Sequence, residues 1–509
     1  MEHIDRLLGR LEYKTKPWLV VGKGPSYELI RTVDTADFFL FTLNHVIKNH
    51  PGSEISHMID FDVFLECADD IYRNARHVVM PMHPHFAFKA TPKTLSDLIK
   101  ENETLAKLDR EGRLFWYNHT KKYFRRKNVS GLVQTLLNRD PARIPEEKFP
   151  LATIGFFSAE APFQLLGMNG ITDIVSVGVD GGSAYAPGFS DKTLLANGHS
   201  SFNDQAPLIA RSINRFNINY EPLGTGYPVK IYVGTQEEQM LAVKVLEHSI
   251  KKHTPADIEL FPMCYSTITP KEPREPANRQ RTPFSFQRFT IPALNKYQGK
   301  AIYMDSDMQV FKDIRKMWTL PMGAHDLYTV AKKDQSDRKL HFSVMMLDCA
   351  KLDWDIDTIV GQLDNKEFTY EQLMQDMCVA RKIGVEIPHV WNCLEWYDPA
   401  LSGLVHYTDM EKQPWVEANN PIGPVWFEGL FSAVEDGFIS LEYIADHIQK
   451  GWVRPSLLWQ VQNRFADNRK LPADILALDK DFVPAYRRLL PNAALVQKTA
   501  KAHKQKIHA

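Results

Sequence analysis

The chain has 509 residues, 61 of them basic and 62 acidic, and is 44% hydrophobic. That length exceeds one ordinary core and calls for two or three domains, while the near-zero net charge removes any case for wholesale nucleic-acid binding. Its five cysteines, Cys67, Cys264, Cys349, Cys378 and Cys393, are scattered and lack CxxC spacing, which excludes a disulfide framework or a structural zinc site.

Met1 to Arg6 carries charges where a signal peptide needs an apolar run. No stretch approaches roughly 18 uninterrupted apolar residues. The expectation is a cytoplasmic protein with no transmembrane segment and at most peripheral contact with the inner face of a membrane.

In chain order, Trp18-Leu19-Val20-Val21 reads as a buried strand, followed by the turn Gly22-Lys23-Gly24-Pro25-Ser26 and a helix. Phe38-Phe39-Leu40-Phe41 is a second strand leading to Asn44. Met58-Ile59-Asp60-Phe61-Asp62 reads as an ordinary strand edge that ends in two carboxylates. Asp173 to Val179 is a further buried strand, closing on Asp180. Strands alternating with helical stretches predict a parallel, doubly wound sheet. Such sheets bind ligands at the carboxyl ends of their strands. Gly22-x-Gly24 lacks the third glycine of a dinucleotide fingerprint, although its backbone amides suit an anion.

Taken in order, Gly22-Lys23-Gly24-Pro25-Ser26, Asn44, Phe157-Ser158-Ala159, Gly178-Val179-Asp180-Gly181-Gly182-Ser183-Ala184-Tyr185 and Asn197-Gly198-His199-Ser200 resemble the family forty-two sialyltransferases. They also resemble the related motility-associated flagellin glycosyltransferases and pterin pyrophosphokinase-like domains. The resemblance spans Trp18 to Tyr220 and implies a CMP-sugar donor used without metal. Asn44 and Ser158 would contact nucleotide or sugar, with Gly24, Ser26 and Asp180 at the same pocket. Tyr185 would lie at the leaving phosphate. His199 would be the general base, a role suited to a side chain that titrates near neutrality. The sialyltransferases have a second tyrosine six residues before the position of Tyr185, where this chain has Val179. The domain therefore uses another CMP-sugar, or binds without catalysing as a module that recognises acceptor or partner.

Glu221 to Pro228 is rich in chain breakers and reads as a linker. The pattern then restarts with the strand Lys230-Ile231-Tyr232-Val233. A helix follows over Gln236 to Lys252, with Met240, Val243, Leu246 and Ile250 at helical spacing. Ile258-Glu259-Leu260-Phe261 is the next strand, and Pro270 to Pro283 is a polar, basic, Pro-rich loop. Ala301 to Met304 reads as a buried strand that runs into Asp305-Ser306-Asp307. Two carboxylates one residue apart at a strand end suit a divalent ion held against a diphosphate. Domain limits of 1–222, 229–430 and a helical extension at 431–509 follow. The basic tail, Lys498 to Lys506, reads as a solvated end.

The stretch from Ser285 to Leu294, the stretch from Tyr297 to Asp307, and His406-Tyr407-Thr408-Asp409-Met410-Glu411-Lys412-Gln413-Pro414-Trp415 resemble the retaining glycosyltransferases of family eight. This is the glycogenin and lipopolysaccharide galactosyltransferase type, and the resemblance covers Val229 to Phe427. It implies a GT-A fold, so that the chain holds two Rossmann-like nucleotide-binding domains. Asp305, Asp307 and His406 would hold Mn²⁺ or Mg²⁺. Lys412 would contact the diphosphate, Arg288 would help bind donor phosphate, and Thr235 would lie at the donor base. Glu371-Gln372 stands where the family has an Asp-Gln pair near the reacting sugar, in a positioning and electrostatic role. The family's Asn-Ala-Gly before the strand Val344-Met345-Met346-Leu347 is replaced by His341-Phe342-Ser343. Together the two resemblances imply a tandem glycosyltransferase. One half would transfer a hexose from a UDP-sugar, and the other would use or bind a CMP-sugar. The acceptor would be a bacterial surface glycan, a lipid-linked oligosaccharide or a glycoprotein.

Overall fold

The computed structural model describes residues 1–87, 89–90, 92–120, 151–190, 201–282, 284–331, 340–485 and 487. They fall into two compact units, Met1–Thr225 with Thr319–Ala324, and Gly226–Trp318 with His325–Ala509.

The first unit is built on β1 (Glu2–His3), β2 (Trp18–Val21), β3 (Phe39–Leu43), β4 (Ser53–His57), β5 (Ala75–Pro81), β6 (Leu114–Thr120), β7 (Leu151–Thr153), β8 (Asp173–Val177) and β9 (Asn219–Pro222). They form one sheet in the order β1-β6-β5-β4-β3-β2-β8-β9, with β7 beside β6. Every pairing is parallel. All four residues of β2 and all five of β4 are buried, as expected for strands covered on both faces. Helix α1 (Phe61–Asn74) turns Phe61, Phe64, Cys67 and Ile71 into a core with Val78, Met80 and Trp116. The strand order reverses between β2 and β8, so the ligand crevice of such a sheet lies where Gly22 meets Gly178. A Cβ on Gly22 would stand 2.2 Å from the Gly178 carbonyl oxygen, and only glycine permits that approach.

Three expectations shift in this unit. The helix after the Gly22–Ser26 turn is a 3₁₀ helix, Pro25–Thr32. Strand β8 stops at Val177 because Gly178 turns left-handed at φ 67, which leaves Asp180 on the loop. The first residues of the expected linker form edge strand β9 against β8.

The second unit has a six-stranded sheet of β10 (Val229–Gly234), β11 (Ile258–Pro262), β12 (Lys300–Asp305), β14 (Leu327–Ala331), β15 (Leu340–Asp348) and β16 (Ile383–Ile387). A three-stranded ribbon adds β13 (Met308–Val310), β17 (Cys393–Leu394) and β18 (Leu404–His406). The sheet order is β11-β10-β12-β15-β14-β16, and the ribbon order is β13-β18-β17. The doubly wound pattern predicts a parallel sheet, but β15 runs antiparallel to both β12 and β14. A parallel crossover needs a dozen or so residues, more than lie between Ala331 and Leu340.

Helix α2 (Met240–His253) buries Met240, Val243, Leu246 and Ile250, together with Leu241, Ala242 and Val245. Its second apolar face joins a core with Val405, Tyr407, Trp415, Trp426, Phe427, Leu430 and Leu457. Helix α3 (Gly423–Glu435) runs through residue 430, so the C-terminal helices share one core with the ribbon. No helix among the described residues is long and apolar enough to cross a membrane.

Candidate active site

Strand β12 carries the acidic turn. Its middle residues, Ala301 to Met304, are fully buried, and the chain emerges at Asp305. Alternation along the strand puts Tyr303 on the same face as Asp305, and the Tyr303 hydroxyl donates to Asp305 Oδ1 at 2.6 Å. Across the sheet Asp305 pairs with Gly234, at the end of β10. The chain then turns through Ser306 into β13. There Met308 pairs with His406 on β18, and the Tyr407 amide donates to the Asp307 carbonyl at 2.8 Å. This cross-strand register brings residues a hundred positions apart together. Ligand atoms of Asp305, Asp307 and His406 lie within 4.8 Å of one another.

Asp305 and Asp307 are half-buried, His406 is buried, and the triad is electrostatically tight. Burial raises the Asp305 carboxyl above its ordinary range, against the pull of Arg288 and His406, and the charge of Asp307 adds to the rise. For His406, burial disfavours the imidazolium, but Asp307 and Asp305 together outweigh it and lift its pKa. His406 Nε2 lies 3.0 Å from Asp307 Oδ1. Asp307 Oδ1 is buried and faces the imidazole. The Ser306 hydroxyl is buried without a hydrogen-bond partner. A buried hydroxyl without a partner is costly, and here it lies in a turn whose donor set is two carboxylates and an imidazole. Such a set fits a hard divalent cation such as Mn²⁺ or Mg²⁺.

Arg288 is buried against this turn. Its guanidinium donates to the Phe342 carbonyl at 3.0 Å and to the Tyr303 hydroxyl at 3.1 Å, and it stands 3.6 Å from Asp305 Oδ1. The expected phosphate contact thus sits behind the acidic turn as its counter-charge. Thr235 is buried beside Gly234, and its backbone exchanges hydrogen bonds with the Gln287 amide, each 3.3 Å. Lys412 is exposed and pairs with Asp409 at 3.2 Å. Glu371 and Gln372 are exposed at the start of a π-helical turn, Gln372–Asp376. Glu371 pairs with Arg281 of the basic loop, and Gln372 Oε1 accepts from the Thr369 amide. Neither is hydrogen-bonded to the triad.

Two buried amides that sequence reasoning passed over touch the triad. Gln413 Nε2 donates to Asp307 Oδ2 at 2.8 Å and to the Tyr407 carbonyl at 3.0 Å. Asn392 Oδ1 lies 3.0 Å from His406 Nδ1. Gln413 stands inside the stretch from His406 to Trp415, beside Lys412. Asn392 carries no local signal. Trp415 is buried against Trp426 at 5.2 Å between ring centroids, a packing role.

In the first unit, the loops after β2 and β8 close on each other. The Ser26 amide donates to Asp180 Oδ2 at 2.7 Å, the Gly178 amide donates to Ser26 Oγ at 2.8 Å, and the Gly24 amide donates to the Gly178 carbonyl at 2.8 Å. Of the turn's amides, that of Ser26 is therefore taken up by the chain's own Asp180. At the end of β3, Asn44 adopts a left-handed φ of 55, and its Nδ2 donates to Ser158 Oγ at 3.3 Å. Asn44 Oδ1 is buried without a hydrogen-bond partner. The Tyr185 ring lies under Lys23 Nζ at 4.3 Å. His199 lies outside the described residues.

Comparison with known proteins places a family match across the middle of the chain. Residues 208–369 match the model of glycosyl transferase family 8. That span holds Thr235, Arg288, Asp305 and Asp307, and stops short of Glu371, Gln372, His406 and Lys412. Protein CDI of Arabidopsis thaliana is 30% identical over 219 residues, 38% of this chain and 81% of that protein. Among solved structures, the WbbM bifunctional glycosyltransferase is 12% identical at a TM-score of 0.30, over 45% of this chain and 57% of its own. The glycosyltransferase GlyE of Streptococcus pneumoniae TIGR4 is 14% identical at a TM-score of 0.31, over 40% and 60%. The chain thus spans less than two thirds of either structure. The galactosyltransferase LgtC, solved with donor and acceptor sugar analogues, is 12% identical at a TM-score of 0.29, over 40% of this chain and 96% of its own.

Proposed function

The chain belongs to glycosyl transferase family 8, and from that premise we propose that its second unit transfers a hexose from a UDP-sugar, with retention, to a glycan, lipid-linked or glycoprotein acceptor. One observation carries this reading: Asp305, Asp307 and His406 converge at a strand end, beside a buried Ser306 hydroxyl that makes no hydrogen bond. A divalent ion held by these three residues would neutralise the diphosphate as it leaves. Tyr303 and Arg288 fix the Asp305 carboxylate from behind. Lys412, exposed at the rim, supplies a mobile cation for the diphosphate. Glu371 and Gln372 act on the sugar by positioning. The test is hydrolysis and transfer from a panel of UDP-sugars with Mn²⁺, Mg²⁺ or EDTA, alongside Asp305→Asn. Turnover that survives both EDTA and the substitution sinks the proposal.

A second reading concerns the first unit, and Asn44 favours it. A left-handed backbone and a buried side-chain oxygen without a partner, at the carboxyl end of a parallel sheet, suit a ligand contact. The unit would bind a CMP-sugar there, with His199 as base, or bind without catalysis. Calorimetric titration of the full chain and of Asn44→Ala with CMP and with UDP decides it. Equal CMP binding by both proteins, or none by the full chain, counts against a site at Asn44.

A further inference from the structure

We infer that Asn392 and Gln413 are positioning residues that hold His406 and Asp307 ready to capture a metal ion, and that Ser343 sets the orientation of Asn392. The inference rests on the reading of the triad as a metal centre and adds the residues that make the centre selective for one geometry.

An imidazole binds a cation only through a nitrogen that carries no proton, and its other nitrogen is usually fixed by a hydrogen-bond acceptor. His406 offers Nε2 toward Asp307 and Nδ1 toward Asn392 Oδ1 at 3.0 Å. With its oxygen at His406, the Asn392 amide turns Nδ2 to Ser343 Oγ at 3.0 Å. A neutral amide in this orientation accepts the Nδ1 proton and keeps Nε2 as the coordinating atom. All three residues are well shielded: Asn392 is 7% exposed, His406 6% and Gln413 3%. Water does not easily substitute for these partners.

Gln413 acts on the other ligand. Its Nε2 bridges Asp307 Oδ2 and the Tyr407 carbonyl, next to His406 in sequence. One carboxylate oxygen of Asp307 is thereby tied down. The other, Oδ1, is buried and faces His406 Nε2 at 3.0 Å, so the two atoms that a cation would take stand side by side. A neutral donor does this without adding charge, so the ion still meets the full charge of Asp307. Gln413 is itself anchored from below. The adjacent Pro414 carbonyl accepts from Arg454 Nε at 3.1 Å, and the Trp415 carbonyl accepts from the Arg454 amide at 3.0 Å.

The segment His341-Phe342-Ser343 gains a role in the same arrangement. Its Ser343 hydroxyl steers Asn392, and its Phe342 carbonyl accepts from Arg288, the counter-charge of Asp305. Both metal-side supports therefore converge on this one segment of β15. The departure from Asn-Ala-Gly seen in the sequence falls where the triad is braced.

The test measures Mn²⁺ binding to the full chain by titration calorimetry, with no donor present. Asn392→Leu and Gln413→Met keep volume but delete the hydrogen bonds. Each is expected to weaken Mn²⁺ binding about 10- to 100-fold, the usual effect of losing an outer-shell partner, with unchanged circular dichroism. Asn392→Asp keeps an acceptor at Nδ1 and is expected to retain most of the affinity, which a merely structural role would not produce. Ser343→Ala, which removes one hydroxyl at little risk to folding, gives a smaller loss in the same direction. Wild-type affinity in both Asn392→Leu and Gln413→Met overturns the inference while leaving the metal centre standing. So does an equal loss in Asn392→Asp and Asn392→Leu. A wild-type chain that binds no Mn²⁺ overturns the metal reading itself, and this inference with it.

Discussion

Gly234→Ala gives a sharp probe of how the acidic turn is held. Gly234 pairs with Asp305 across the sheet. A Cβ at this position would lie 2.3 Å from the Tyr303 hydroxyl oxygen and 3.0 and 3.1 Å from the ring carbons Cζ and Cε2. The fully buried ring must then move by about 1 Å to regain van der Waals separation. That movement breaks the 2.6 Å bond to Asp305 and the 3.1 Å bond from Arg288. Overpacking of this kind costs about 1–3 kcal/mol, and a lost hydrogen bond to a carboxylate about 1.5–3 kcal/mol. We expect a total near 4 kcal/mol, within the sum of those two ranges. Tyr303→Phe removes the oxygen that the new methyl group strikes, and with it the bond to Asp305. In the double variant that bond is lost only once, and contacts of 3.0 and 3.1 Å relax with small shifts. The two substitutions should therefore fall short of additivity by about 2 kcal/mol, as contacting residues do. Urea denaturation of the four proteins, with UDP-sugar turnover read in parallel, measures the cycle. Strict additivity, or a Gly234→Ala protein as stable and active as wild type, refutes the reasoning.

Arg454 is fully buried, bonded to Ser456, Gln460 and the Pro414 carbonyl, and 3.7 Å from Asp479. Arg454→Met leaves Asp479 without this partner and should cost about 3–5 kcal/mol in urea denaturation, together with weaker Mn²⁺ binding through the loosened Gln413. In the first unit, burial lowers the pKa of His3 and His57 to about 3 and that of His77 to about 4. The unfolded chain binds these protons near pH 6.5, so the stability of the neutral rings is complete above that pH and is lost as pH falls toward the folded values. At pH 5 each ring should cost about 2 kcal/mol. Denaturation at pH 7.5 and pH 5 reads the loss, and His57→Gln should flatten the slope by about a third.

The sequence carried the acidic turn because its warrant is local. Four apolar residues followed by Asp305 and Asp307 need only a strand and its end, and β12 supplies both. Tyr303 was legible too, since two-residue alternation puts it on the same face as Asp305. His406 required more. Its distance from Asp307 is set by the pairing of β13 with β18, which no periodicity reveals, so only the family resemblance pointed to it. Asn392 had neither signal. It is a neutral amide on an irregular segment, and its importance exists only once Ser343 and His406 flank it. The antiparallel course of β15 was hidden for a related reason. A strand buried on both faces looks the same in either direction, and the short connection from Ala331 was the sole clue.

Arg288, expected at the donor phosphate, also has close partners within the protein. An arginine near a nucleotide-sugar site suggests phosphate. The structure stacks its guanidinium 4.6 Å from the Tyr303 ring centroid and turns it toward Phe342 and Asp305. A buried cation behind a pair of carboxylates makes electrostatic sense. Burial raises the Asp305 pKa, and repulsion from the neighbouring Asp307 carboxylate adds to the rise. A fixed positive charge behind the turn relieves part of it without occupying the face that an ion must reach. Lys412, exposed and only loosely paired, is the better candidate for a group that moves onto a diphosphate. On the proposed reading the site would divide its cations by mobility, with a buried arginine behind the carboxylates and a surface lysine free to follow the leaving group.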